Sequence, residues 1–359
     1  MPDAMKVLYL FSGSREGLIE KVRRGEYHGN GFWGMLQLPK YGVEADYIEV
    51  EQTYPRPIAR WIRRHVSTHA FHVPIIWKIF SYDIVFTSTA FITQLIFALV
   101  SPRRPLWVMH DFSIKSQLGA EKTFRQKIFR FMVRRAAGVV TLSLDEKEFL
   151  ERRFPHLVGR VEFIPFGVDM GFFKPAAAAR EQILAVGFDP DRDWKTLIEA
   201  VRDIDVPVIL ATHERRVEKL KPLPPNVSVR SFSPRELVAE YDRSTVVVVP
   251  LDTSTGLNDA MGCSTLFEGM AMGKAVVATR TRAMESYVVS GENGLLVPEG
   301  DAPALRKALA DLLANPAERR RIGENARRYA LEHLDIEDCS RRLADFFMRL
   351  YRASRAKTF

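Results

Sequence analysis

NDAMGCSTLFEGMAMGKAVVATR, running from Asn258 to Arg280, holds a turn, a helix and a strand in 23 residues. Gly262 followed by Cys263, Ser264 and Thr265 reads as a tight turn with helix-capping side chains, and the residues after it predict a helix over Leu266 to Met272 that Gly273 ends. Ala275 to Thr279 then reads as a short buried strand. A helix start of this kind turns unpaired backbone N–H groups and a positive dipole end outward, which makes a seat for a phosphate. Glu268 lies one turn inside, where its two oxygens could accept hydrogen bonds from the vicinal hydroxyls of a ribose. A solvated surface glutamate on a capped helix is the alternative.

The same rhythm continues outward in both directions. Strand-like runs in the second half are Ile183 to Phe188, Val206 to Ala211, Val227 to Phe232, Thr245 to Leu251, Ala275 to Thr279 and Gly294 to Pro298. In the first half they are Lys6 to Phe11, Asp46 to Val50, Asp83 to Thr87, Leu106 to His110, Gly138 to Ser143 and Val161 to Pro165. Stretches of helical period separate them, the pattern of βα units feeding parallel sheets. An α/β fold of two doubly wound domains is therefore expected. FGVDMGFFKPAAAAR, Phe166 to Arg180, carries Gly, Pro and an alanine run and marks the hinge. The expected divisions are residues 1–168, 169–335 and a terminal helix over 336–359. That helix sets Leu343, Phe346, Phe347 and Leu350 on one apolar stripe. Crossing back onto the first domain would bury the stripe, and a dimer contact would serve equally well.

Composition narrows the function classes. The chain has 359 residues, enough for two domains, with 47% hydrophobic and 27% charged residues, so disordered and low-complexity architectures are excluded. It carries 52 Lys plus Arg against 44 Asp plus Glu, a net +8 that favours anionic partners. Cys263 and Cys339 are its two cysteines, too few for a disulfide framework or a clustered-thiolate metal site, and a reducing cytoplasmic compartment fits. The opening MPDAMKVLYLF runs directly into a strand and does not read as a signal peptide. IVFTSTAFITQLIFALV, Ile84 to Val100, is short for a membrane span and is expected to fold as a buried strand, a turn at Ser88 and Thr89, and a buried helix.

Two further clusters stand at strand ends. VGFDPDRDWKTLIEAV, Val186 to Val201, turns at Gly187, Asp189 and Pro190 and then presents Arg192 and Lys195 before a helix. Two cations at the mouth of a strand suit a diphosphate, Arg through its planar fork and Lys as a point charge; solvated surface charges are the alternative. LWVMHD, Leu106 to Asp111, ends a buried strand on His110 and Asp111, at the carboxyl edge where open α/β sheets bind ligands. His110 could hydrogen-bond a substrate hydroxyl or buffer a proton, or simply pack.

Taken together, IPFGVDMGFFKP (Ile164 to Pro175), RDWKTLIEAV, FEGMAMGKAVVAT (Phe267 to Thr279) and ESYVVSGENGLLVPEGD (Glu285 to Asp301) resemble, in order and spacing, the motifs of retaining family 4 glycosyltransferases with the GT-B fold. The resemblance is close in the second half and loose in the first. It implies an acceptor-binding N-terminal domain, a C-terminal domain that binds a nucleotide diphosphate sugar, a UDP- or GDP-sugar, and a reaction without cofactor or metal. By matching position, Glu268 resembles the second glutamate of the family's paired motif, which holds the ribose. Arg192 stands where the family has its diphosphate-binding cation, with Lys195 near it. His110 resembles the histidine that contacts the transferred sugar, and Glu285 falls in the structural continuation after the next strand. Gly187, Gly262, Ser264 and Thr265 complete the donor-binding set.

The departures are specific. The first glutamate of the pair should stand eight residues before Glu268, where this chain has Ala260, with Asp259 adjacent as a substitute. Phe188 replaces the Arg that commonly follows the strand-end Gly. The glycine pair after the first strand is absent, and the loop Ser12 to Gly31 carries Gly29 and Gly31 at its end, with Gly34 beyond. Retention in this family is explained by acceptor attack on the face from which the diphosphate departs. Arg192, Lys195 and the backbone of Gly262 to Thr265 would then stabilise the departing charge.

On the acceptor side, Pro57 to Val66 sets Ile58, Trp61, Ile62 and Val66 on a face beside Arg60, Arg63 and Arg64. Phe124 to Ala136 interleaves Phe124, Ile128, Phe131 and Met132 with Arg125, Lys127, Arg130, Arg134 and Arg135. Such helices either lie on an anionic membrane or pack an ordinary apolar face on the sheet. Acceptors that are glycans, lipid-linked glycans or small molecules fit this reading. Nucleic-acid binding lacks a recognisable motif, a dinucleotide oxidoreductase lacks the G-x-G-x-x-G after the first strand, and a catalytically silent relative is the reading Ala260 favours.

Overall fold

The computed structural model describes residues 4–11, 13–67, 70, 72–88, 91–100, 105–110, 113–119, 122–176, 181–254 and 260–356. The chain divides into two compact units. One comprises Met1–Ile19, Phe32–Phe166 and Glu337–Phe359; the other comprises Glu20–Gly31 and Gly167–Ile336.

The first unit is built on a parallel sheet of β1 (Met5–Leu10), β2 (Val43–Tyr47), β3 (Ile84–Thr87), β4 (Leu106–His110), β5 (Gly138–Thr141) and β6 (Val161–Phe163). Its strand order is β2-β1-β3-β4-β5-β6, with Val7 paired to both Ala45 and Ile84. β2 starts three residues earlier than the expected Asp46, because Val50 already opens a short helix behind the Glu49 capping box. Side chains alternate across each strand, so Leu8, Leu10, Val85, Trp107, Met109 and Val139 share one core. Four elements cover that face: helices Arg56–His65, Phe91–Val100 and Phe124–Arg135, and the 3-10 helix Val73–Ser81. The alternate positions serve the other face, where Phe86 meets Phe347 of the Ile336–Ala356 helix edge-on at 5.3 Å. The apolar stripe expected on that helix is thus buried within this unit, with Leu343, Phe346, Phe347 and Leu350 all in the core.

The phase of two helices differs from the expected one. Arg56–His65 buries Ala59 and Ile62 while Ile58 and Trp61 stay exposed, and Phe124–Arg135 buries Phe129, Met132 and Val133 while Phe124 and Phe131 stay exposed. The segment Ile84 to Val100 folds as β3 and the Phe91–Val100 helix, and Thr89 of the expected turn lies outside the described residues. Among the described residues no helix is long and apolar enough to cross a membrane.

The second unit carries β7 (Ile183–Val186), β8 (Val208–Ala211), β9 (Val227–Arg230), β10 (Val246–Val249), β11 (Ala275–Thr279) and β12 (Leu295–Val297). They form a parallel sheet in the order β12-β11-β10-β7-β8-β9. The connections reverse direction between β7 and β10, so the strand-end loops part there and leave a crevice. Chain order alone puts Glu20–Gly31 with the first domain, yet it clusters with this unit. Arg235 Nε donates to Gly25 O at 2.7 Å, Gly29 N–H donates to Asp169 Oδ2 at 3.2 Å, and Asp169 N–H donates to Asn30 Oδ1 at 2.8 Å.

Candidate functional site

Where β7 and β10 diverge, the loop after β7 is pinned to the segment after β10. Asp193 N–H donates to Pro250 O at 3.2 Å, Asp252 N–H to Asp191 O at 2.9 Å, and Arg192 forms an antiparallel bridge with Leu251. Leu251 N–H in turn donates to Thr279 Oγ1 at the end of β11, at 2.9 Å. The carboxyl ends of three strands are thereby tied around one side chain, Arg192.

Arg192 is 8% exposed and lies across Gly187, where a Cβ would come within 2.6 Å of Arg192 Cγ. Only a residue without a side chain leaves room for it. Its Nε donates to Asp189 Oδ2 at 3.1 Å and its Nη2 to Thr265 Oγ1 at 3.3 Å, while Thr265 Oγ1 donates to Val186 O at 3.2 Å. Burial lowers the guanidinium pKa and the Asp189 carboxylate opposes that shift. Nη1 is buried as well and makes no hydrogen bond among the described residues. A buried donor on a permanent cation is costly to leave unpaired, so this atom is poised for an anionic oxygen.

The helix from Cys263 to Ala271 starts beside it. Its N-cap is Gly262, at φ 82°, where a Cβ would stand 2.7 Å from Val249 Cγ1. Glycine is required there by conformation and by space. Cys263, Ser264 and Thr265 were expected in the turn as capping residues; they form the first turn of the helix instead, and Gly262 makes no side-chain cap. Cys263 N–H donates to Ala260 O at 3.3 Å, which leaves the Ser264 and Thr265 N–H groups to a ligand or to solvent. Ser264 is exposed and Thr265 buried.

Glu268 is also 8% exposed, and its Oε2 accepts from Tyr241 Oη at 2.9 Å. Burial pushes its pKa up to about 7, against the Tyr241 hydrogen bond and the Arg192 charge. The folded value lies above the unfolded one, so the stabilisation is complete at acid pH and is lost as pH rises through about 7. We expect the wild-type chain to lose about 3 kcal/mol relative to Glu268→Gln between the ordinary carboxyl range and neutral pH. Denaturant unfolding of both proteins across that window measures the difference; parallel pH profiles would refute it.

Other expected site residues lie elsewhere. Lys195 is exposed in the first turn of the Trp194–Val201 helix, outside this hydrogen-bonded network. Glu285 pairs with Arg280 at 3.1 Å and Arg282 at 3.4 Å, both partly exposed ion pairs. Asp259 lies outside the described residues, as does Asp111. Phe188 is exposed and its ring lies 5.0 Å from that of His213, past the end of β8. His110 belongs to the first unit, stacked on Phe86 at 5.0 Å with the Trp33 ring edge-on at 4.8 Å. Burial pushes its pKa down to about 3, so the ring is neutral near pH 7 and the proton-buffering expectation gives way to packing or neutral hydrogen bonding. Tyr241 was missed by sequence reasoning, because its link to Glu268 joins two helices and leaves no local pattern. Among the described residues no group of three or more His, Cys, Asp or Glu side chains could hold a metal ion.

Comparison with known proteins places this geometry. Residues 180–329 match the family model described as glycosyl transferases group 1. The lipopolysaccharide core biosynthesis mannosyltransferase LpcC of Rhizobium leguminosarum bv. viciae is 29% identical over 239 residues, covering 58% of this chain and 63% of that protein. The MMP alpha-(1->4)-mannosyltransferase of Mycolicibacterium hassiacum is 31% identical over 48% of this chain and 44% of its own length. The matched stretches thus span less than two thirds of these relatives. Among solved structures, sucrose-phosphate synthase (tll1590) from Thermosynechococcus elongatus superposes with a TM-score of 0.72 at 20% identity, covering 97% of this chain and 100% of that one. Anabaena Alr3699/HepE in complex with UDP-glucose gives 0.67 at 17% identity, covering 96% and 100%. With its two doubly wound parallel sheets, the chain has the GT-B fold, and its second unit carries the stretch that matches the glycosyl transferases group 1 model.

Proposed function

We propose that the chain is a glycosyltransferase that moves a sugar from a nucleotide diphosphate sugar to an acceptor hydroxyl, with the donor held by the second unit. The observation that carries this is the buried Arg192 Nη1, without a hydrogen-bond partner among the described residues, beside the Gly262 helix start at the divergence of β7 and β10. Breaking the glycosidic bond puts negative charge on the diphosphate. Fixed donors aimed at that charge lower the barrier because they need no reorganisation as it develops. Arg192 and the N–H groups of Ser264 and Thr265 supply the inner donors, and Lys195 adds longer-range attraction from the surface. Glu268 takes the ribose hydroxyls, and their hydrogen bonds favour its ionised form. His110 is the residue of the first unit assigned to the transferred sugar, as a neutral hydrogen-bonding ring. The mechanism is retaining, the transferred unit a hexose and the donor a UDP- or GDP-sugar; a glycan, a lipid-linked glycan or a small molecule is the acceptor. The mannosyltransferase names of the relatives and the UDP-glucose complex of the Anabaena protein support this donor class. The reaction needs no metal in this reading, and the cytoplasm is its compartment.

Ala260, in place of the first glutamate of the family's pair, favours a second reading, a silent relative that binds the nucleotide without transfer. Titration calorimetry with UDP, GDP and ADP, followed by a donor-hydrolysis assay, decides between them. We expect UDP or GDP to bind and the matching donor to be hydrolysed. Binding without hydrolysis or transfer selects the silent protein, and no binding of any nucleotide rejects both.

A further inference from the structure

We infer that the outer surface of the helical layer on the first unit's sheet docks on an anionic lipid bilayer. The inference is independent of the donor chemistry. The helices Arg56–His65, Phe91–Val100 and Phe124–Arg135 and the 3-10 helix Val73–Ser81 bury residues in one core beneath that layer. Each of them also leaves a pair of large apolar side chains exposed, spaced to lie on one side of its element. Ile58 and Trp61 are three apart on an α-helix, and Trp77 and Phe80 are three apart on a 3-10 helix. Ile92 and Leu99 are seven apart on an α-helix, as are Phe124 and Phe131. The exposures are large: 59% for Trp61, 62% for Trp77, 63% for Leu99 and 79% for Phe124. The four elements that carry these eight residues pack on one core of one unit, a concentration that isolated surface hydrophobics do not show.

Charge says what covers them. From Pro55 to Ala136 the sequence has 14 Lys or Arg and three Asp or Glu, a surplus larger than the net +8 of the whole chain. Arg60, Arg64, Arg125, Lys127 and Arg134 are exposed among the apolar pairs. Arg135 Cζ stands 5.6 Å from the Phe131 ring and Lys78 Nζ 5.5 Å from that of Trp77. Cations beside Trp and Phe match a membrane interface, where long basic side chains snorkel to headgroups while rings and aliphatic tips enter the acyl boundary. A second copy of the same face would set like charge against like charge. A single-stranded nucleic acid would use the rings as stacking platforms but has no use for Ile58, Ile92 and Leu99.

The test is co-sedimentation of the full chain with vesicles of phosphatidylcholine alone or mixed with phosphatidylglycerol, at low and high salt, beside poly(U) binding. We expect preference for the anionic vesicles, weakened by salt and reduced at least about tenfold in the Arg60→Gln, Arg64→Gln, Lys127→Gln, Arg134→Gln variant. A Trp61→Ser, Trp77→Ser, Phe124→Ser variant should also lose binding while retaining the wild-type melting temperature. Should either variant unfold, a blue shift of wild-type tryptophan fluorescence on anionic but not neutral vesicles carries the test. Equal affinity for neutral and anionic vesicles, binding to neither, unchanged binding in both folded variants, no such fluorescence shift, or tighter binding to poly(U) overturns the inference.

Discussion

Arg192→Ala is expected to lower turnover of a bound nucleotide sugar by about 10²- to 10³-fold, the cost of removing one fixed donor to a developing oxyanion. The reason is placement. Arg192 is held from two sides, by Asp189 Oδ2 and Thr265 Oγ1, which leaves Nη1 as the buried donor without a partner among the described residues. Arg192→Lys should recover only a small part of the rate, because an ammonium cannot reach Asp189, Thr265 and a phosphate oxygen along three fixed directions. Lys195→Ala should have a smaller effect, since its charge is exposed and screened. Donor-hydrolysis kinetics with a thermal melt of each variant separate lost catalysis from lost folding. Unchanged turnover in the Arg192→Ala, Lys195→Ala double variant would remove Arg192 from the mechanism.

The largest effect on stability is expected at the other end of the sequence. Phe347 is fully buried and meets Phe86 edge-on, and Phe346 beside it is 1% exposed. Phe347→Ala should destabilise the first unit by about 3–5 kcal/mol, through lost transfer energy and the cavity left behind. With two units in the chain, denaturant unfolding need not be a single transition. The expected result is a shift of the transition that reports the first unit, with the other unmoved. A shift below about 1 kcal/mol would mean that the helix is not held by this ring.

Eleven of the twelve strands were legible in place because a buried parallel strand is a short apolar run, and VVVV at Val246–Val249 has no other economical reading; β2, the half-exposed edge strand VEADY, was placed three residues late. Strand order was legible only through the doubly wound expectation, not from the runs themselves. No residue pattern states that β7 lies beside β10, and that adjacency is what gathers Arg192, Gly262 and Thr265. Helix phase failed where the sequence offered two apolar stripes. In Phe124–Arg135 the stripes through Phe124 and through Phe129 are equally acceptable to the periodicity, and the packing partner chooses between them. The start of the Cys263–Ala271 helix was misplaced because Ser264 and Thr265 read as caps, whereas the left-handed backbone that admits the first turn belongs to Gly262. Glu268 was singled out by its position, but its burial, which raises its pKa, and the opposing hydrogen bond from Tyr241, 27 residues away in sequence, leave no local pattern.

The short segment Glu20–Gly31 bears on how this molecule can be divided. The polypeptide lends twelve residues from near its start to the compact body formed by its second half, so a single cut at the hinge does not yield two intact pieces. A fragment beginning at Gly167 would leave Asp169 without Gly29 and Asn30 and Arg235 without the Gly25 carbonyl. Independent expression of the second unit would therefore be better served by supplying the borrowed peptide in trans or by circular permutation than by truncation.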